Sequence, residues 1–151
     1  LIARFTPGAG LYIRGGIGVY SVKASYLYRI VTSDSWEQWK GTATASGLGA
    51  EGAFGGEWEV APKTSVFVEA GFRIARFEGL TGKNVYTNSP GANVTEAGTL
   101  YYFTKLAEDG KTYPLLFVRG TIPAEEGVVD ARQAVLNLSG TAIRAGVRYR
   151  F

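Results

Sequence analysis

The sequence predicts an all-β protein, an antiparallel up-and-down β-barrel that crosses a membrane on its strands. Three observations carry that prediction. Near the C-terminus Thr141, Ile143, Ala145, Val147, Tyr149 and Phe151 share one parity, and Ala142, Arg144, Gly146, Arg148 and Arg150 share the other. The same two-residue period recurs at residues 11–23, 41–60 and 64–77. The connections between these stretches alternate short and long. A period of two puts successive side chains on opposite faces of a sheet. The last stretch alternates over eleven residues, which matches the about 9–11 that a tilted strand needs to cross a bilayer core.

Taken in order, residues 1–5 alternate briefly and stop at Thr6-Pro7-Gly8-Ala9-Gly10, a turn signal. They read as the tail of a strand whose beginning is missing. The first full strand, residues 11–23, has Leu11, Ile13, Ile17 and Val19 on one face and Tyr12, Arg14, Gly16, Gly18 and Tyr20 on the other. Tyr26 and Tyr28 continue it past a bulge, and residues 32–39 are polar loop. The second strand, residues 41–60, sets Leu48, Ala50, Phe54, Trp58 and Val60 against Glu51, Glu57 and Glu59. Its many glycines would weaken an ordinary strand; in a narrow barrel they leave room for bulky interior side chains. A short turn at residues 61–64 leads to the third strand, residues 64–77. There Val66, Val68, Ala70, Phe72 and Ile74 oppose Phe67, Glu69, Gly71, Arg73 and Ala75. Residues 79–136 read as a long irregular loop with one hairpin inside it, residues 100–106 and 113–118 around Ala107-Glu108-Asp109-Gly110. A loop of that length carries function or motion. The last strand runs from about residue 137 to Phe151.

Magnitude decides which face meets lipid. An Arg near the bilayer midplane costs ~2–4 kcal/mol, and Arg144 and Arg148 both lie close to the centre of the last strand. The Arg face is therefore assigned to a polar interior and the Ile143/Val147/Tyr149/Phe151 face to lipid. The alternative is a soluble barrel or sandwich with the apolar face inward.

Composition agrees with a many-stranded sheet. The 151 residues suit one domain, with 13% aromatics, nine Tyr, eight Phe and 21 Gly. A net charge of +3 with dispersed basic residues gives no footprint for nucleic acid. With no Cys there is no disulfide framework, thiolate metal site or cysteine nucleophile. No run of about 18 apolar residues offers a transmembrane helix. The chain has no Met and no signal peptide, so it is expected to be a mature chain or, better, a fragment.

Arg144, Gly146, Tyr149 and Phe151 fill the pattern that this ending resembles, the C-terminal assembly signal of bacterial outer-membrane β-barrels. The resemblance extends to Gly10-Leu11-Tyr12 with Gly15-Gly16-Ile17-Gly18-Val19-Tyr20, to the Gly47–Gly52 run with its hairpin at Ala61-Pro62, to residues 66–77, and to Leu138-Ser139-Gly140 onward. Together these stretches are similar to the outer-membrane protein A-like or opacity-type family of small barrels. That resemblance implies about eight strands in the full protein, of which four and a stub are present here, the N-terminal strands being absent. It also implies a bacterial outer-membrane location, a periplasmic turn at residues 61–63 and outer loops at residues 32–40 and 79–136. The implied partners are outer-membrane lipid, lipopolysaccharide and the barrel-assembly machinery.

The polar face is the candidate site. Arg14, Glu51, Glu57, Glu59, Glu69, Arg73, Arg144, Arg148 and Arg150 share it, and strands about 4.8 Å apart bring Arg14 to Glu51 and Glu51 to Arg73. Buried charges must pair, so the first reading is a lumen charge network. The others are a narrow pore or gate, and a catalytic carboxylate pair, Glu51 with Glu69. The chain has no His, the base used by the small-barrel hydrolases that the resemblance brings into view. Trp36, Trp39, Trp58, Tyr101 and Tyr102 sit near expected strand ends, as interfacial girdles do; ligand stacking is the alternative for Tyr101-Tyr102-Phe103. The expectation is a non-enzymatic barrel without cofactor or metal that anchors in the membrane and presents its long loop to any extracellular ligand. The alternatives are transport of a small solute and a soluble lipocalin-like ligand barrel.

Overall fold

A computed structural model describes residues 2–6, 8–107 and 110–151, with side chains from residue 8 onward. Leu1 and Pro7, in the expected stub and first turn, and Glu108 and Asp109, in the expected hairpin turn, lie outside the described residues.

The described residues are all-β: strands hold 78% of them, there is no helix among them, and the sheet is antiparallel. The strands are β1 (Ile2–Thr6), β2 (Ala9–Val31), β3 (Trp36–Ala61), β4 (Thr64–Phe77), β5 (Thr81–Asn88), β6 (Asn93–Leu106), β7 (Thr112–Arg119), β8 (Val128–Gln133), β9 (Leu136–Asn137) and β10 (Gly140–Tyr149). β4 has the expected bounds. β2 runs to Val31 and β3 starts at Trp36, so the polar loop shrinks to a tight turn in which the Thr32 N–H donates to the Ser35 carbonyl at 2.8 Å. The sheet is not closed. A tight barrel takes about eight strands.

The chain falls into two compact units. The first holds residues 1–20, 47–76 and 137–151; the second holds residues 21–46 and 77–136. β2 and β3 contribute to both.

In the first unit the order is β1-β2-β3-β4-β10, with β9 also on β4. The β3–β4 hairpin turns on Pro62 and Lys63. Pro fixes φ near −65° and Lys63 takes φ 66°, the pair of angles a type II turn requires. A register shift between Glu59 and Ala61 fits this turn to the ladder. β10 then pairs in unbroken register with β4, placing Ile143 opposite Ala70, Arg144 opposite Glu69 and Val147 opposite Val66.

Side-chain exposure separates the two faces of this sheet. Ile13, Ile17 and Val19 of β2, Leu48, Phe54 and Trp58 of β3, Val68, Phe72 and Ile74 of β4, and Val147 of β10 are all exposed, and Ile143 is 82% exposed. The buried polar side chains of this unit, Ser65 and Glu69, lie on the opposite face, where Glu69 is only 5% exposed. A water-soluble sheet has the reverse arrangement.

The second unit replaces most of the expected long loop with strands. β5 and β6 form a hairpin around Ser89–Ala92, where Gly91 takes φ 95°. β6 pairs with β7 as the apolar runs at residues 100–106 and 113–118 require, and β8 pairs with β6. β5 and the first half of β6 were hidden because Thr81–Asn88 and Asn93–Thr99 carry no apolar alternation. The ladder with residues 37–44 of β3 holds β5 in place. This unit buries its apolar side chains in the usual way: Tyr101, Phe103 and Phe117 form a core against Tyr26, Tyr28, Trp39 and Leu115, and Phe77, Leu80 and Val118 are almost wholly buried.

Candidate functional site

The charged side chains of the first unit come together as two clusters, each centred on one carboxylate. Glu69, in mid-β4, receives Arg14 twice, from Nη2 at 2.6 Å and Nε at 3.1 Å. It also receives Arg144 Nη1 at 3.4 Å and the Tyr12 hydroxyl at 2.9 Å. Arg14 reaches Glu51 as well, at 3.8 Å. The second carboxylate is Glu57, which accepts from Arg148, from Arg150 Nη2 at 3.0 Å and from the Ser65 hydroxyl. The Arg148 guanidinium stands 5.4 Å from the Phe67 ring centre and 6.0 Å from that of Tyr12.

Glycines make room for this crowding. A side chain at Gly55 would lie 2.8 Å from both the Tyr12 ring and Glu69, and one at Gly146 would lie 2.9 Å from the Phe67 ring. In this structure Gly146, read from sequence as part of an assembly signal, is the hollow that seats the half-buried Phe67 ring. Arg144 of the same pattern belongs to the Glu69 cluster. Tyr149 and Phe151 meet edge to face at 5.3 Å, both exposed.

Arg73 lies directly across the ladder from Glu51 and gives its Nε–H to the Leu138 carbonyl at 3.1 Å. Arg148, grouped from sequence with Glu51 and Glu69, belongs to Glu57. Tyr12 and Ser65 are the residues of these clusters that sequence reasoning did not single out. Both share the polar parity of their strands, which was the available signal.

Arg14, Glu51, Arg73 and Arg144 line a trough of about 330 Å³, walled by residues 138–142. Glu69, held by two guanidinium groups and a phenol, has its acceptor sites taken and is a poor general base. Among the described residues no group of three or more Asp or Glu is arranged to hold a metal ion.

The five aromatics read as an interfacial girdle separate. Trp58 is exposed on the apolar face of the first unit. Tyr101 is 6% exposed and belongs to the core of the second unit, a placement that removes it from any girdle, since a girdle ring must reach the water–lipid boundary. Trp39 packs on the same core, 5.2 Å from Tyr86 and 6.3 Å from Phe117. Trp36 lies under Arg29, and Tyr102 under Arg132. The alternation of β6 sends Tyr101 to the core and Tyr102 to the opposite face.

Two tyrosines of β2 finish the second unit. Among the described residues β7 pairs with β6 alone. On its other edge the Val118 N–H donates to the Tyr26 hydroxyl at 2.8 Å, and the Leu116 N–H to the Tyr28 hydroxyl at 3.2 Å. Tyr26 in turn donates to Asn84 Oδ1 at 3.1 Å, and Asn84 is buried. Tyr26→Phe strands both groups and is expected to cost about 1–3 kcal/mol, read as a lower melting point of the second unit. Burial, the largest cause, also pushes the Tyr26 phenol above the ordinary value of 10.0. The unfolded chain then loses that proton first as pH rises. The contribution of Tyr26 to stability is whole below pH ~10 and is lost above it. The melting point of the native chain should therefore fall more steeply above that pH than that of the Phe variant.

No protein-family model, no curated protein and no solved structure matches this chain.

Proposed function

We propose that this chain is a non-enzymatic outer-membrane β-barrel protein, anchored through its first unit and presenting its second unit to water. One observation carries the reading: the first unit exposes an apolar face over β2, β3, β4 and β10, while Arg14, Arg144, Arg148 and Arg150 pair with Glu51, Glu57 and Glu69 on the opposite face. Soluble monomers rarely leave a contiguous apolar face of this kind uncovered in water. In lipid it is the favourable surface, and paired charges are what a narrow lumen needs. The likeness of the Arg144-Gly146-Tyr149-Phe151 pattern to an outer-membrane assembly signal supports the same assignment, as do the outer-membrane protein A-like stretches.

The reading carries a requirement. In lipid the free edges of β1 and β10 would leave backbone groups unpaired at several kcal/mol each, so further strands must cover them. The trough between Arg14, Arg73 and Arg144 favours a second reading, a narrow anion-conducting path through the same barrel.

The test is to fold the chain, with whatever flanking sequence its gene encodes, into phosphatidylcholine vesicles. The expected result is β-type circular dichroism and a gel band whose mobility changes on boiling. A monomer that folds in plain buffer and ignores the vesicles would overturn the reading. Conductance across a planar bilayer then separates the structural anchor from the anion path.

A further inference from the structure

The second unit contains a pocket that none of the preceding roles uses. Its floor is one row across three strands: Leu116 of β7 stands opposite Tyr102 of β6, which stands opposite Arg132 of β8. Leu100, two residues from Tyr102 and so on the same face, deepens it. Val135 and Leu136 form the facing wall, held against β6 where the Ala134 N–H donates to the Leu100 carbonyl at 2.9 Å. The cavity measures about 520 Å³, within the roughly 300–1,000 Å³ of small-molecule sites.

Its chemistry is lopsided. The walls are aliphatic or aromatic except at one end, where Arg132 and Gln133 stand. The Arg132 guanidinium lies 5.2 Å from the Tyr102 ring centre and makes no ion pair among the described residues. Of the other arginines of this unit, Arg29 stands over Trp36, and Arg119 is held by Glu96 at 3.5 Å and Glu125 at 3.2 Å. Arg119 is thus neutralised by its own fold, while Arg132, set over an aromatic ring at the edge of an apolar cavity, keeps its charge available. A planar guanidinium in that position offers two parallel N–H donors to a carboxylate.

We infer that this pocket binds a single-chain amphiphilic anion, an aliphatic carboxylate whose tail lies along Leu100, Leu116 and Leu136 and whose head meets Arg132 and Gln133. All the lining residues belong to the second unit, so the inference does not rest on the membrane reading of the first.

The probe is decanoate, with decanol as its uncharged match. The full chain carries ¹³C-labelled leucine methyls and is held in phosphatidylcholine nanodiscs, or in buffer if it folds there. Decanoate is expected to shift the Leu100, Leu116 and Leu136 methyls saturably, and decanol to bind about tenfold more weakly, as does decanoate to Arg132→Gln. The methyl spectrum itself reports that the variant is folded. A second variant, Ala24→Phe, narrows the pocket from β2 and should abolish the shifts with Arg132 intact. Equal binding of acid and alcohol, unchanged affinity in Arg132→Gln, or shifts confined to other leucines would each overturn the inference.

Discussion

Ile143→Arg is expected to prevent the chain from folding into phosphatidylcholine vesicles. Ile143 stands mid-strand in β10, opposite Ala70, and is the most exposed large side chain within that strand. If its face meets lipid, a guanidinium there costs ~2–4 kcal/mol, which lowers the folded-to-unfolded ratio by roughly 30-fold to several hundred-fold. If its face meets water, the same change is an ordinary surface substitution worth within about 0.5 kcal/mol and removes an apolar patch besides. The two environments thus predict opposite outcomes. The measurement is the fraction of chain in the heat-modifiable band after vesicle folding. A fraction equal to that of the native chain would mean that lipid does not lie against β10.

The second large effect belongs to the other unit. Gly82 and Gly98 pair across the β5–β6 ladder. A side-chain carbon at Gly82 would fall 1.9 Å from the Thr42 carbonyl oxygen, and one at Gly98 would fall 2.0 Å from that of Arg119. These obstacles are backbone, which cannot rotate aside, so the strands themselves must part. Gly98→Ala is expected to reach the upper end of overpacking costs, ~3 kcal/mol, or a fall of about 12 °C or more in melting temperature. Trp36 and Trp39 lie in this unit and report its melting by fluorescence. Gly140→Ala, where an added carbon meets nothing within 4 Å, is the control and should melt as the native chain does.

The faces of β2, β3, β4 and β10 were legible because a period of two has only two phases, and charge marks one of them. Partnering within the polar face was less legible. Parity puts Glu51, Glu57, Glu69, Arg144 and Arg148 on one side but does not say who meets whom. That depends on register, which the Pro62-Lys63 turn and the shift between Glu59 and Ala61 set. Arg148 then falls opposite Ser65 and goes to Glu57, and Arg144 falls opposite Glu69. The second unit was least legible. Lys83-Asn84-Val85 and Asn93–Gly98 look like loop, since their strand state comes from ladder partners and from glycines that admit close backbone approach. The hairpin of β6 and β7 stood out because Leu100–Leu106 and Tyr113–Val118 are apolar. Its partners on β2, Tyr26 and Tyr28, are separated from it by some ninety residues, and no local pattern announces such a contact.

The antiparallel order β1-β2-β3-β4-β10 in the first unit has a consequence for how the sheet can be sealed. Direction reverses at each step, so its two border strands point the same way. Two molecules inserted in the same sense would bring β10 of one beside β1 of the other as a parallel pair. Two β10 borders could meet antiparallel only if one molecule stood upside down. Head-to-tail copies therefore cannot zip into a wholly antiparallel ring. If the sheet closes as proposed, whatever polypeptide sews the seam has to bring an odd number of strands, and that parity sorts acceptable partners from unacceptable ones before any side chain is read.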